Sequence, residues 1–206
     1  MRTVNITIIG AGNIGGTLAR KWAAKSHRIT LGVRDPGKSE VARLLGELGP
    51  DARAALVSNA AHGADAVLFA VPGGSMLETI ASVGDALDGK VVIDATNNIG
   101  GGAFNSVAAL TSAAPRAHIY RAFNTYGWEN FETPVFGGTA ADLFYAGPDG
   151  DPRNVAEQLI SEVGLRPVWL GGLDKAGLVD SLLPLWFTLS SERGLGRHFA
   201  FKILRT

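Results

Sequence analysis

Gly10-Ala11-Gly12-Asn13-Ile14-Gly15 stands near the start of the chain, directly after an apolar run and directly before a helix-like pattern. In this context a G-x-G-x-x-G motif is typical of a strand, a tight turn and a helix that hold the pyrophosphate of a dinucleotide. Gly10 permits the turn, Gly12 lets the backbone approach the phosphates, and Gly15 allows the helix to pack closely on the strand. The sequence therefore predicts a dinucleotide-binding turn at residues 10–15, and the alternative is a structural glycine-rich turn.

Apolar runs without strong alternation recur along the first two thirds of the chain, as in strands that are buried on both faces. They predict strands at 4–9, 28–33, 66–71, 91–94 and 118–123, with a further short strand near 54–57. Three- and four-residue apolar spacing predicts helices between them at 13–25, 39–48, 75–87 and 105–113. This alternation indicates an α/β fold with a doubly wound parallel sheet of the Rossmann type.

The pattern changes after residue 134, where a strand at 142–146, a helix at 152–163, a strand at 167–170 and apolar helical turns at 173–191 are predicted. We therefore expect two domains, a dinucleotide-binding domain at residues 1–137 and a small C-terminal α/β annex at 138–206 that packs on it and ends in helices. The apolar surplus at 178–189 favours a buried contact or the interface of a homodimer.

Composition narrows the classes of protein to consider. The 206 residues carry 19 basic and 19 acidic side chains and no cysteine. Zero formal charge argues against nucleic-acid and anionic-membrane partners, and the absence of cysteine excludes disulfides and thiolate chemistry. The N-terminal run lacks a signal-peptide cleavage site, and no stretch has the roughly 20 apolar residues that a membrane span needs. We expect a cytoplasmic protein without membrane or nucleic-acid partners.

The residues at the end of the second predicted strand indicate whether the cofactor is NAD or NADP. In sites that prefer NAD, an acidic residue at this position bonds the ribose 2′-hydroxyl, whereas a nearby arginine accommodates a 2′-phosphate. Here the strand ends in Val33-Arg34, with Lys38 four residues further on and no acid at the tip. Because a guanidinium pairs with phosphate and a carboxylate repels it, Val33, Arg34 and Lys38 predict NADP(H). The alternative is a solvated charge cluster.

Further cofactor contacts are predicted where the later strands end, because ligands bind outside the carboxyl ends of strands in open sheets. The predicted residues are Ala70, Val71 and Pro72, then Thr96 and Asn97, then Asn124 and Thr125. Each group also has a purely structural interpretation. The first group would form a turn before a helix, and the second would cap a helix or form a turn. The third would only precede Tyr126 and Trp128, which would pack in the core.

The sequence contains no pattern typical of an acid–base catalyst or of a metal site. Tyr120 and Tyr126 are each followed four residues later by asparagine rather than lysine, and the four histidines are scattered. We therefore predict no catalytic side chain and no metal site. Direct hydride transfer between two cofactors requires orientation and exclusion of water more than a protein base.

Taken together, these motifs resemble a known family. The chain is similar to the NADPH-dependent coenzyme F420 reductases and to the predicted dinucleotide-binding proteins around them, which are related to the cytosolic domain of membrane metalloreductases. The matching segments are Ile9–Gly15, Gly32-Val33-Arg34, Ala70-Val71-Pro72, Ala122-Phe123-Asn124-Thr125, Gly164-Leu165-Arg166-Pro167, the run at 178–185, Gly194-Leu195-Gly196 and Phe201-Lys202.

The resemblance implies hydride exchange between NADPH C4 and C5 of the deazaflavin, with Arg34 and Lys38 at the 2′-phosphate. It also implies a C-terminal segment that helps form the second pocket, and a dimer. Two departures concern the site: Val33 replaces a polar residue, and Tyr126-Gly127-Trp128 replaces a shorter turn. The second departure leaves a flavin, a quinone or a small carbonyl or imine compound open as the acceptor.

Two functions from different classes remain. The first is an NADPH-dependent oxidoreductase that passes hydride to a small-molecule acceptor, either coenzyme F420 or a similar flavin-like compound. The second is a non-catalytic NADP(H)-binding module or sensor. A β-hydroxyacid dehydrogenase ranks below both, because it needs a large helical domain with a catalytic lysine, for which only Lys175 is available.

Overall fold

The main sheet has six parallel strands in the computed structural model, which describes residues 2–205. Their order is β3-β2-β1-β4-β5-β6. The strands are β1 (Asn5–Ile9), β2 (Arg28–Val33), β3 (Ala52–Leu56), β4 (Ala66–Phe69), β5 (Val91–Asp94) and β6 (His118–Arg121). The strand order reverses between β1 and β4, as in a doubly wound Rossmann-type sheet. The predicted fold class is confirmed.

Helices cover both faces of this sheet. They are α1 (Asn13–Ala23), α2 (Ser39–Leu48), α3 (Val57–Ala60), α4 (Met76–Val83) and α5 (Val107–Ala113). Alternate residues of β4 belong to opposite cores, since Leu68 packs with Leu18 of α1 while Val67 and Phe69 pack with Ile80 of α4. Burial on both faces explains why the strands read as continuous apolar runs.

The C-terminal third adds two small sheets and three helices. A hairpin joins β7 (Val135–Phe136) to β8 (Thr139–Ala140), and β9 (Asp142–Tyr145) pairs in parallel with β10 (Arg166–Trp169). The helices are α6 (Glu129–Glu132), α7 (Asp151–Val163) and α8 (Ala176–Phe187). A π-helical turn at Thr188–Glu192 follows α8, and the segment 193–205 without helix or strand, here called the tail, ends the described chain.

The apolar core continues across residue 137, which lies in the turn of the β7–β8 hairpin. Trp22 of α1 donates its indole N–H to the Leu159 carbonyl of α7 over 2.9 Å. His27 Nδ1 accepts from the Val4 amide, so its Nε2 carries the proton and donates to the buried Glu162 carboxylate of α7 at 2.5 Å. The division into two domains at 137 remains a prediction, and both parts contribute to one core.

Several elements differ from the sequence-based expectations for local reasons. β6 ends at Arg121 rather than at 123, where Phe123 has a left-handed φ of 62°. The helix predicted at 75–87 is split because Gly84, with φ 51°, ends α4. α5 begins at Val107 because the Asn105 side chain accepts a hydrogen bond from the Val107 amide and forms a turn.

Within residues 2–205, none of the helices combines the length and the apolar character that crossing a membrane requires. The same residues contain no group of three histidine, aspartate or glutamate side chains placed to hold a metal ion.

Candidate dinucleotide-binding site

A groove of about 700 Å³ lies at the carboxyl ends of β1, β2 and β4, where the strand order reverses. Nine of the predicted cofactor residues line it: Gly10, Ala11, Gly12, Val33, Arg34, Lys38, Ala70, Val71 and Pro72. The end of β3 adds Leu56 and Val57 as apolar lining, and α4 adds Glu78 and Thr79. Its size and position are those of a ligand site in an open α/β sheet.

The three glycines of the turn meet different surroundings. Gly10 has φ 104°, and a Cβ there would lie 2.5 Å from the Ala70 carbonyl oxygen. A Cβ at Gly15 would collide with the carbonyl oxygen of Gly10, so this glycine permits close packing of α1 on β1. A Cβ at Gly12 would meet no atom within 4 Å. Gly12 is therefore the position that keeps the groove itself open.

The start of α1 has the properties of an anion site. Its N-cap residue, Gly12, provides no side-chain hydrogen bond, and the first turn contains no acidic residue. Amide groups in the first turn of a helix have no intrahelical acceptor, and the helix dipole makes this end positive. Asn13 is exposed, whereas Ile14 packs against the core. The backbone of this turn can therefore bind a pyrophosphate.

Two cations line the same groove as this turn. Arg34 and Lys38 are both exposed, and neither forms an ion pair with another residue of the described chain. Asp35 accepts the Gly37 amide at 2.9 Å and so closes the turn between them. An unpaired guanidinium and an unpaired ammonium beside an uncapped helix start fit a second phosphate group.

Seven predicted residues lie outside the groove lining: Asn13, Ile14 and Gly15 in α1, and Thr96, Asn97, Asn124 and Thr125 after β5 and β6. Thr96 donates its hydroxyl to Asp94 Oδ1 at 2.6 Å. This hydrogen bond forms a turn, which was the alternative to cofactor binding for Thr96. Asn97 Nδ2 donates to the Asn124 carbonyl at 2.8 Å, so the structure brings these two residues together. Asn124 Oδ1 and Thr125 Oγ1 are buried and have no hydrogen-bond partner among residues 2–205.

These strand ends adjoin the groove through the loop after β4. Gly73 follows Pro72 of the groove lining, and a Cβ on Gly73 would lie 2.5 Å from the Asn97 carbonyl oxygen. The groove and the Asn97–Asn124 pair therefore form neighbouring parts of one sheet edge.

Sequence reasoning missed Arg121 as a residue of this region. Its side chain is completely buried at the end of β6 and donates from Nε to Asp180 Oδ1 of α8 at 2.7 Å. A second carboxylate oxygen, Asp94 Oδ2, lies 3.3 Å from Arg121 Nη1. An arginine in a strand predicted to be buried on both faces was the available signal, because a buried charge needs a partner.

None of the three tyrosines is placed to act as an ionised base. Burial raises the pKa of Tyr120, Tyr126 and Tyr145 above the usual 10. The Tyr126 hydroxyl donates to the Asp142 carbonyl and accepts from the Phe201 amide, and its ring packs in the core. Tyr126 is therefore a core residue and does not cover a ligand ring.

The chain is similar to known proteins over most of its length. Residues 5–98 match the family model described as NADP oxidoreductase, coenzyme F420-dependent. The F420-dependent NADP reductase of Methanothermobacter thermautotrophicus is 29% identical, over 91% of this chain and 89% of that protein. The resemblance to this family is confirmed. A second F420-dependent NADP reductase, from Methanothermobacter marburgensis, is 27% identical over 88% of this chain and 89% of that protein.

A solved structure extends the likeness to the C-terminal third. The putative F420-dependent NADP reductase from Arthrobacter sp. FB24 is 25% identical, with a TM-score of 0.85, and the match covers 98% of this chain and all of that one. The family-model match spans β1 to the loop after β5, which includes every predicted groove residue. The similarity to F420-dependent NADP reductases therefore includes both the groove and the helices that follow it.

Proposed function

We propose that this protein is an NADPH-dependent oxidoreductase that transfers hydride between NADP(H) and coenzyme F420 or a similar flavin-like acceptor. The observation that carries the proposal is the groove at the strand-order reversal, which is lined both by an uncapped helix start and by two cations that have no ion-pair partner in the described chain. No neutral ligand would account for both features, whereas a phosphorylated dinucleotide accounts for each.

The chain binds the pyrophosphate and the adenosine 2′-phosphate with different groups. The backbone of Gly10, Ala11 and Gly12 and the first turn of α1 hold the pyrophosphate, and Arg34 with Lys38 holds the 2′-phosphate. Leu56 and Val57 give the groove an apolar surface suited to a nucleotide base. Asn13, Ile14 and Gly15 support this turn from within α1.

The nicotinamide end is assigned to the ends of β4, β5 and β6. Ala70, Val71 and Pro72 line the groove there, and Asn124 and Thr125 supply buried polar atoms that have no partner among residues 2–205. Bound NADPH supplies the hydride, and the protein orients the ring and excludes water. Both Methanothermobacter relatives are F420-dependent NADP reductases, which supports F420 as the acceptor.

A screen of NADPH oxidation tests this function. The purified protein is mixed with NADPH and, separately, with F420, FMN, FAD, quinones and ferric chelates, and absorbance changes of donor and acceptor are followed together. We expect stoichiometric oxidation of NADPH with reduction of F420 or a flavin. Tight NADPH binding without transfer to any acceptor would instead support the non-catalytic module or sensor.

We further propose that the protein is a cytoplasmic homodimer whose subunits meet along α8. Three large apolar side chains of this helix are exposed, Leu178 at 58%, Leu185 at 46% and Phe187 at 39%. Exposed apolar side chains grouped on one helix favour a protein contact.

A further inference from the structure

A cluster of buried charged and polar side chains connects the ends of β5 and β6 to helix α8. Its centre is Arg121, with Asp94 and Asp180 as the two carboxylates, and Asn97 and Asn124 as the two amides. Arg121 and Asp94 are 0% exposed, and Asp180 is 9% exposed. The cluster lies beside the proposed cofactor groove, and of its members only Asn124 has been assigned to the cofactor so far.

Arg121 joins three separate segments of the chain. Its Nε donates to Asp180 Oδ1 at 2.7 Å, and its Nη2 donates to Asn97 Oδ1 at 2.7 Å. Its Nη1 donates to the carbonyl of Asp94 at 3.1 Å. The planar guanidinium thus fixes the positions of α8 and of the loop after β5 relative to β6.

Stability alone is a weak reason for such a cluster. Taking charges out of water is costly, and replacement of a buried ion pair by well-packed apolar side chains is often neutral or stabilising. The cluster does, however, determine side-chain orientation, because each hydrogen bond has a fixed donor and acceptor.

Asn124 is the residue whose orientation is determined most completely. Its Nδ2 donates to Asp180 Oδ1 at 3.1 Å, and a carboxylate can accept but not donate. The amide must therefore present its Oδ1 on the other side. That oxygen is buried and has no partner in the described chain, although a buried acceptor normally has one.

The position of Asn124 suits a contact with the nicotinamide. Its backbone carbonyl accepts from Asn97 Nδ2, and the Asn97 carbonyl is next to Gly73, which follows Pro72 of the groove lining in the chain. The carboxamide of nicotinamide carries an NH₂ group, which is the donor that an unpartnered amide oxygen requires.

We propose that Arg121 and Asp180 are positioning residues that hold Asn124 with its Oδ1 free to accept a hydrogen bond from the nicotinamide carboxamide. This inference rests on the proposed binding of NADP(H). Because Asp180 belongs to α8, the C-terminal third takes part in orienting the nicotinamide, although it does not line the groove that binds the adenosine end.

Binding of two cofactor analogues tests the inference without requiring an acceptor. NADP⁺ has the carboxamide NH₂, whereas its 3-acetylpyridine analogue has a methyl group in that place. Isothermal titration should show that the wild-type protein binds NADP⁺ about 5- to 20-fold more tightly than the analogue, the range expected for one hydrogen bond. In Asp180→Ala the acceptor of Asn124 Nδ2 is lost, so the Asn124 amide is no longer held in one orientation, and the ratio should fall to about 1–2.

Two milder variants and a matched control show whether a change in the ratio comes from the cluster or from a general loss of structure. Arg121→Lys keeps the charge but loses the planar fork, and Asn105→Ala removes the 2.6 Å hydrogen bond from Asn105 Nδ2 to Asp180 Oδ2. Both should lower the ratio. Glu162→Gln alters another buried carboxylate, which pairs with His27 away from the groove, and should lower the melting temperature while leaving the ratio unchanged.

The outcomes separate this inference from the proposed function. A wild-type ratio near one, or a ratio that Asp180→Ala and Arg121→Lys leave unchanged while NADP⁺ still binds, overturns the positioning role only. A wild-type protein that binds neither NADP⁺ nor the analogue overturns the proposed function and this inference together. An equal loss of the ratio in Glu162→Gln would show that the effect is not specific to the cluster and would also overturn the positioning role.

Discussion

Gly12 and Gly15 belong to the same motif, but they serve the site in separate ways. Gly15 has the Gly10 carbonyl directly against the place of a Cβ, whereas Gly12 has open space there. The motif thus combines one glycine that is required by packing with one that is required by the ligand. Substitution by alanine distinguishes them because it adds only a methyl group.

Gly12→Ala should fold normally and bind NADPH poorly, since its methyl group would occupy the place of the pyrophosphate. Gly15→Ala should lower the free energy of unfolding by about 1–3 kcal/mol, the usual cost of overpacking. Thermal melts and NADPH titration of both variants measure the two effects. A large drop in stability in Gly12→Ala, or normal NADPH affinity in the same variant, would contradict this assignment.

At the scale of elements, Asp142 of β9 fastens the tail to the body of the protein. Its side chain accepts hydrogen bonds from Arg166 at 2.6 Å, from Lys202 at 2.9 Å and from the Ile203 amide at 2.8 Å. Burial by itself raises the pKa of Asp142, but these hydrogen bonds outweigh it and lower the pKa from 3.8 to about 2. The carboxylate form is therefore the one that the fold stabilises.

A lowered pKa means that this stabilisation is complete above about pH 4 and is lost as the pH falls towards 2. After allowance for solvent screening it contributes about 1–2 kcal/mol. Hydrogen exchange of the tail amides should accelerate in this acidic range, relative to the intrinsic rate, before the core amides do. Asp142→Asn should show the same loosening at neutral pH, and equal protection of tail and core amides in both experiments would contradict the fastening role.

The sequence predicted the large elements because both faces of the sheet are buried and each strand appears as an apolar run. It failed for α3, α6 and the β7–β8 hairpin, which have two to four residues per element and are too short to show a period.

In the site, Gly12 and Arg34 were predictable because the motif and the strand end are local in sequence. The pairing of Arg121 with Asp180 was not, since 59 residues separate them and only the tertiary fold brings them together.

At the scale of the whole molecule, the core is shared by the segments before and after residue 137. Trp22 and Leu159 pack together and are linked by a hydrogen bond between α1 and α7. We therefore expect one cooperative unfolding transition in calorimetry, with equal calorimetric and van't Hoff enthalpies. Two resolved transitions would show that the two predicted domains unfold independently.

The proposed dimer makes a separate prediction at this scale. Light scattering at micromolar concentration should give twice the mass of one chain, and the double variant Leu178→Glu, Leu185→Glu should give a monomer that still binds NADPH. Val135→Glu is the matched control, because Val135 is 52% exposed on the hairpin and should leave the mass unchanged. A wild-type monomer would remove the proposal.

We expect the turn at residues 10–15 to bind a diphosphate and Arg34 to bind the adenosine 2′-phosphate. Calorimetric titration of the wild-type protein and of Arg34→Ala with NADPH and with NADH tests both contacts together. Loss of a charge-assisted contact should weaken NADPH binding by about 10- to 100-fold and change NADH binding by less than about twofold. Equal weakening of both cofactors, or a wild-type protein that binds neither, would contradict the account.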